Sequence, residues 1–217
     1  MTGPRTARAA AYRWNPEAQD AALIEDGSIV PLPENQSRRW FSPGPETQVN
    51  LDATVIGFLL PVSPRQIRRG DQIADWKRRG WLDAAIESTE LSQLASLDNE
   101  DAPLELRVRS FLDVNCASCH RPGGPSRGNF DARLMTPLSK QGLIDGALVA
   151  GDLGISGARV IVPSDPTRSV LLQRLQRHDQ FRMPPVALND EAPPVIQTLE
   201  AWIRSLSSNL QSHRANQ

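Results

Sequence analysis

Cys116-Ala117-Ser118-Cys119-His120 is the stretch of sequence from which the fold prediction starts. Two cysteines three positions apart are followed at once by a histidine, and the chain contains no other cysteine. At a helical turn, thiols with this spacing can each bond a vinyl group of one porphyrin, while the adjacent imidazole ligates the iron. The motif therefore predicts one covalent haem c, attached through Cys116 and Cys119, with His120 as the proximal ligand.

Closely spaced cysteines also occur in zinc sites and in thiol redox pairs. A structural zinc ion needs about four ligands, but His178 and His213 are the only histidines besides His120. A thioredoxin-like pair begins a helix that follows a strand, whereas a predicted helix precedes Cys116. A zinc or thiol binding module remains an alternative interpretation of the motif.

Met183 is the predicted second axial ligand of the iron. It lies in Phe181-Arg182-Met183-Pro184-Pro185, where the prolines restrict the backbone and remove two amide donors. Methionine opposite histidine is usual in electron-transfer cytochromes c, and it raises the reduction potential. His178 is the competing ligand, and an iron that binds neither residue would be open and would favour an enzyme.

The loop after His120, residues 121–130, is rich in glycine and arginine. Glycines would let the backbone run close to the haem, where a Cβ would clash. Arg121, Arg127 and Arg182 could pair with haem propionates or with an acidic partner, although arginines are mostly plain surface residues.

Outward from the motif, residues 101–209 have the size and patterning of a compact domain. Apolar stripes with helical spacing predict three helices, which begin at Asp101 and Pro103, at Asp165 and Pro166, and at Asn189 or Asp190. The stripes are Leu104, Val108, Phe111 and Leu112; Leu171, Leu172 and Leu175; and Val195, Ile196, Leu199, Trp202, Ile203 and Leu206. We expect the first helix to pack across the last, in a mostly α, class I-like cytochrome c domain with a His/Met haem.

Residues 1–100 are predicted to be an irregular, partly β region. Short apolar runs at residues 21–24, 28–32 and 55–60 predict strands. Helical patterns with a capping Ser-Pro pair and Gly80 predict a short helical linker over residues 63–97. The polar residues 98–101 mark the predicted domain boundary, and residues 210–217 are a tail.

Composition and charge argue against several classes of protein. A net charge of −1 with 39% hydrophobic residues fits neither a nucleic-acid-binding polycation nor a disordered chain. The longest apolar run, residues 54–62, is far shorter than the about 20 residues that cross a bilayer. Since c-type haem is attached outside the cytoplasm and the N-terminus lacks a secretory apolar segment, we expect a periplasmic or other extracytoplasmic protein whose leader is absent here.

The chain resembles a group of bacterial periplasmic diheme cytochromes in which a β-rich N-terminal part precedes a Met/His cytochrome domain. The segments that carry the resemblance cover most of residues 101–206 well and residues 1–100 loosely. They are Tyr12-Arg13-Trp14-Asn15, Leu112-Asp113-Val114-Asn115 with the cysteine motif and Arg121-Pro122-Gly123-Gly124, Gly151-Asp152-Leu153-Gly154, Gly157-Ala158-Arg159, Ser164-Asp165-Pro166 with Ser169, and Arg182-Met183-Pro184-Pro185.

The chain departs from this group at the first haem motif. The group carries a first C-x-x-C-H that aligns near residues 47–51, whereas no cysteine or histidine precedes Cys116 here. A second c-type attachment is therefore chemically excluded, and the resemblance implies that the N-terminal part is a scaffold or partner surface. It also implies that Tyr12-Arg13-Trp14 continues a strand from sequence absent here.

The predicted function is electron transfer by a single-haem c-type cytochrome between extracytoplasmic partners, such as a redox protein or a dehydrogenase, without nucleic acid. The alternative is a haem subunit of an enzyme, peroxidase-like or dehydrogenase-associated, with an open iron or a second redox site. An electron-transfer protein is favoured over an enzyme, because a methionine is available to close the iron.

Overall fold

The computed structural model describes residues 12–15, 17, 19–32, 35–42, 65–66, 70–83, 93–184 and 193–214. Four strands and four α-helices lie in these ranges. They are β1 (Tyr12–Trp14), β2 (Ala21–Leu23), β3 (Ser28–Leu32), β4 (Asn35–Ser42), α1 (Gln72–Arg78), α2 (Leu104–Asn115), α3 (Val170–Leu175) and α4 (Pro193–Arg214).

The four strands form two antiparallel hairpins. In the first, Tyr12 lies opposite Leu23; in the second, Ser28 lies opposite Ser42, and the register shifts between Pro31 and Leu32. The strands predicted at residues 21–24 and 28–32 are present, because their short apolar runs are bounded by polar residues. The strand predicted at residues 55–60 lies outside the described residues.

Helix α1 occupies the middle of the predicted helical linker. Ile73 is buried, and Gly80 has the left-handed φ of 71° that glycine adopts readily just after a helix. Residues 93–97 are not helical, so the predicted helical linker does not continue as helix to residue 97. Residues 63–64 and 84–92 lie outside the described residues.

Helices α2 and α4 pack against each other and carry much of the core. Val108 and Leu112 of α2 and Leu199, Trp202 and Ile203 of α4 are buried in one cluster. The predicted contact between these helices is confirmed, because the apolar stripe of each faces the other. Helix α4 continues to Arg214, past the predicted end of the domain at residue 209.

Residues 116–169 connect α2 to α3 without an α-helix, so the prediction of a mostly α, class I-like cytochrome c domain is wrong. Between residues 116 and 184 the described backbone is helical only in two three-residue 3-10 turns and in the six-residue α3. The physical reason is that residues with left-handed φ interrupt this segment too often for a helix to propagate. These residues are Gly123, Gly142, Asp145, Gly151, Leu153, Gly154, Gly157 and Ser164.

Extended backbone replaces helix within this segment. Residues 159–162 lie between residues 143–146 and residues 169–171, with hydrogen bonds from the Ile161 amide to the Leu143 carbonyl (3.1 Å) and from the Leu171 amide to the Val160 carbonyl (3.0 Å). Leu143 and Ile161 are fully buried. The irregular segment therefore adds apolar side chains to the core that α2 and α4 begin.

Asp165 begins the helical region that contains α3, as its position before proline predicted. Its carboxylate accepts hydrogen bonds from the amides of Thr167 and Arg168, at 3.0 and 3.1 Å. The first turn, Pro166–Arg168, is a 3-10 helix, and the α-helix starts only at Val170.

Residues 93–97 are attached to α2. The Ala95 amide donates to the buried Ser110 hydroxyl at 3.0 Å, and Arg107 donates through Nε to the Leu97 carbonyl at 2.7 Å.

Among the described elements, the two hairpins and α1 contact none of α2, α3 and α4. Within the described ranges, no helix has the length and apolar character needed to cross a membrane.

Candidate functional site

The cysteine motif forms the turn that directly follows α2. The amides of Cys116 and Ala117 donate to the Leu112 carbonyl at 2.9 and 3.1 Å, and the His120 amide donates to the Cys116 carbonyl at 2.8 Å. Ala117 is buried in the core cluster. The turn is therefore fixed to the core at its centre, and the predicted residues Cys116, Cys119 and His120 are brought together in it.

Both cysteines are free thiols, and both are partly exposed. Burial of the Cys116 sulfur and, to a lesser extent, the neighbouring Cys119 together raise the pKa of the Cys116 thiol to about 12. The Ser118 hydroxyl lies 3.9 Å from the Cys119 sulfur. Cys116 is therefore protonated at neutral pH, and neither sulfur is in a disulfide bond.

The ring of His120 is held by three residues of the following loop. The Phe130 ring stacks on it, with centroids 4.1 Å apart and an interplanar angle of 16°. The Ser126 hydroxyl lies 3.0 Å from Nδ1 and 3.3 Å from Nε2, and it accepts a hydrogen bond from the Gly128 amide at 2.9 Å. Ser126 is therefore within hydrogen-bond distance of both ring nitrogens and restricts the orientation of the ring.

Gly128 leaves the space in which this ring lies. A Cβ at that position would be 2.8 Å from Cε1 and 2.9 Å from Nδ1 of His120. The approach of the loop glycines to the haem stays a prediction, and the structure shows instead that Gly128 lies close to the imidazole ring.

His120 is neutral at physiological pH. Burial and, to a lesser extent, the positive charge of Arg174 together lower the pKa of the imidazole to about 4. A neutral imidazole has a free nitrogen lone pair, which is the form that ligates a metal.

Met183 lies in a separate turn after α3. Arg174 is hydrogen-bonded to this turn, and its positive charge also acts on His120. The Met183 amide donates to the Arg174 carbonyl at 3.0 Å, and the side chain of Met183 is 36% exposed. His178 is exposed in the same turn region. Since Met183 and His178 both lie in this region, their positions in the fold do not indicate which of them would be the distal ligand of the iron.

An open cavity of about 330 Å³ lies beside Arg174. Its lining consists of residues 150–154, Arg174, Arg177 and Phe181. The charges of Arg177 and Arg127 both act on Arg174, so positive charge is concentrated here, with Asp179 as a neighbouring carboxylate. Arg127 is among the arginines that the sequence pattern singles out, whereas Arg174 and Arg177 are not, although their three-residue spacing at the end of a helix was an available signal.

Arg121, one of the arginines considered for the haem propionates, is hydrogen-bonded within the turn of the cysteine motif. Its Nε donates to the Ser118 carbonyl at 3.3 Å. Among the described residues, no group of three or more His, Cys, Asp or Glu side chains lies close enough together to hold a metal ion.

Comparisons with protein-family models, with curated proteins and with solved structures found no match to this chain.

Proposed function

We propose that this protein is a single-haem c-type cytochrome that transfers electrons between extracytoplasmic redox partners. The observation that carries the proposal is the turn after α2, in which two free thiols and a neutral imidazole lie within five residues. Cys116 and Cys119 would hold the haem, and His120 would ligate its iron. The chain has no further cysteine, so one haem per chain is expected.

The surroundings of His120 support this assignment. Phe130 and Ser126 restrict the ring, and Gly128 gives it room, so the imidazole is oriented before any ligand binds. Such preorganisation of the metal-binding imidazole is what neighbouring groups contribute in haem proteins. When bound, the haem would supply the one-electron redox chemistry, while the protein supplies binding and orientation.

Met183 is the proposed distal ligand. Its amide is anchored to Arg174, and Pro184 follows it directly, so the loop loses little entropy on ligation. His178 is exposed and has no proline beside it. A neutral thioether also favours ferrous iron, as suits a carrier that accepts electrons from a dehydrogenase or another redox protein.

The test begins with expression alongside the c-type maturation machinery and a pyridine haemochrome spectrum. We expect one haem per chain that survives acid–acetone extraction, and loss of covalent haem in the Cys116→Ser/Cys119→Ser double variant. Wild-type protein without haem would overturn the proposal. Haem that is extracted with acid–acetone would contradict attachment through the two thiols.

The distal ligand is tested on the ferric holoprotein. We expect the weak near-infrared band of sulfur-to-iron ligation, lost in Met183→Ala and kept in the matched variant His178→Ala. The opposite pattern would assign the iron to His178. A wild-type spectrum without the band, together with rapid binding of small ligands, would instead favour an enzyme with an open iron.

A further inference from the structure

Arg174, near the end of α3, contacts the Met183 turn at two points. Its main-chain carbonyl accepts a hydrogen bond from the Met183 amide at 3.0 Å, and its Nη1 donates to the Phe181 carbonyl at 3.0 Å. One residue therefore fixes the backbone on both sides of position 182 to the same helix.

A third contact of Arg174 reaches another part of the fold. Nη2 donates to the Ala150 carbonyl at 3.0 Å, so the two terminal nitrogens bind carbonyls of two different segments. Residues 150–154 include three positions with left-handed φ, at Gly151, Leu153 and Gly154. The planar guanidinium presents several donors in a fixed geometry, which a lysine ammonium does not reproduce.

The Met183 turn is bonded internally as well. The Phe181 amide donates to the Asp179 carboxylate at 3.0 Å, and the Arg182 amide donates to the Asp179 carbonyl at 3.0 Å. These bonds shape the turn, whereas the bonds to Arg174 attach it to α3 and to residue 150. Loss of the Arg174 side chain should therefore displace the turn as a unit.

We propose that Arg174 is the positioning residue for Met183: by bridging the carbonyls of Phe181 and Ala150 it keeps the methionine turn where its sulfur can reach the iron. The proposal rests on the proposed function, since it concerns the distal ligand of the same haem. The Arg174 side chain acts through the backbone of the turn and makes no bond to the iron.

The experiment compares ferric and ferrous holoprotein of the wild type, Arg174→Lys, Arg174→Gln and Arg168→Gln. Arg174→Lys keeps the charge but loses the two-carbonyl bridge, and Arg174→Gln loses both. Arg168→Gln is the matched control, because Arg168 is an arginine paired with Asp165 at 2.6 Å before α3 begins. The readouts are the near-infrared sulfur-to-iron band and the rate at which carbon monoxide binds the ferrous iron, which requires the methionine to leave.

We expect both Arg174 variants to bind carbon monoxide at least about tenfold faster than the wild type, the factor that fits the loss of charged hydrogen bonds. Their near-infrared band should weaken, while Arg168→Gln should match the wild type within about twofold, the scatter of an unrelated surface change. Haem content and far-UV circular dichroism should stay unchanged in all variants.

Each contrary result has a distinct meaning. An intact band with wild-type carbon monoxide kinetics in both Arg174 variants overturns the role of Arg174 and leaves the proposed function standing. Loss of the band together with the far-UV signal also counts against it, because this would show a general structural role. A haem-containing wild type without the band overturns both the Met183 assignment and this inference, and a wild type without haem overturns the proposed function itself.

Discussion

At the scale of single residues, Gly128 makes room for the imidazole of His120. In Gly128→Ala the new Cβ would meet the ring at 2.8 Å, so the ring must turn or the loop must move. We expect the free energy of unfolding to fall by about 1–3 kcal/mol, as for other overpacked sites. The electron paramagnetic resonance signal of the ferric iron should shift at the same time.

Gly123→Ala is the control for backbone strain in this loop. Gly123 has a φ of 72° and open space around its Cβ position, so alanine there adds strain without a clash. We expect a loss of stability of about 1–2 kcal/mol with an unchanged resonance signal. Equal spectral changes in both variants would show that the His120 ring does not depend on the space at Gly128.

Asp131 should make stability depend on pH. Burial alone would raise the pKa of this carboxyl, but hydrogen bonds from Arg133 at 2.7 Å and from Thr136 at 2.7 Å outweigh burial and lower it to about 2. A lowered folded-state pKa contributes stability above the unfolded-state pKa near 3.8, and this contribution is lost as the pH falls towards 2. The contribution is on the order of 2 kcal/mol at neutral pH.

Urea unfolding of wild-type holoprotein and Asp131→Asn between pH 6 and pH 2.5 measures this dependence. We expect the wild type to be more stable at pH 6 and the difference to shrink steadily below about pH 4, where the unfolded-state carboxyl becomes protonated. A difference that stays constant over the whole range would show that the ionisation of Asp131 does not contribute.

At the scale of elements, α2 and α4 depend on each other. Trp202 of α4 is 2% exposed and belongs to the cluster that contains Val108 and Leu112 of α2. Truncation of a large buried aromatic leaves a cavity, so Trp202→Ala should cost about 3–5 kcal/mol in urea unfolding. Trp81→Ala is the control, because Trp81 is 64% exposed and should cost less than about 1 kcal/mol. Equal losses in the two variants would contradict the packing of α4 on α2.

At the largest scale, residues 93–97, which precede the predicted domain boundary, are hydrogen-bonded to α2. A chain that starts at Gln93 keeps the hydrogen bonds from Ala95 to Ser110 and from Arg107 to Leu97, whereas one that starts at Asp98 loses them. Because the hydroxyl of Ser110 is buried, the second chain should be less stable than the first by about 1–3 kcal/mol.

Urea unfolding of the holoprotein compares the stability of these two chains with that of the full chain. We expect the chain from Gln93 to unfold at the midpoint of the full chain, since the described hairpins and α1 contact none of α2, α3 and α4. A chain from Gln93 that is as unstable as the chain from Asp98 would show that the N-terminal part supports the core.

Local sequence patterns were enough to predict the features whose physical causes are local. The spacing of Cys116, Cys119 and His120 predicts attachment chemistry within five residues, and the apolar periods of α2 and α4 predicted which faces would be buried. Asp165 before proline predicted the start of the helical region around α3, because a helix cap involves only the next few residues.

The arrangement of the chain between those helices and around the imidazole depends on tertiary contacts. The apolar stripes of α2 and α4 favoured a mostly α domain. Residues with left-handed φ within 116–169 prevent helices there. The extended backbone of this segment pairs instead with segments that are distant in sequence. Arg174 bridges residues 150 and 181, and Gly128 faces His120. Contacts of this kind depend on how the chain folds back on itself, which no local spacing or periodicity encodes.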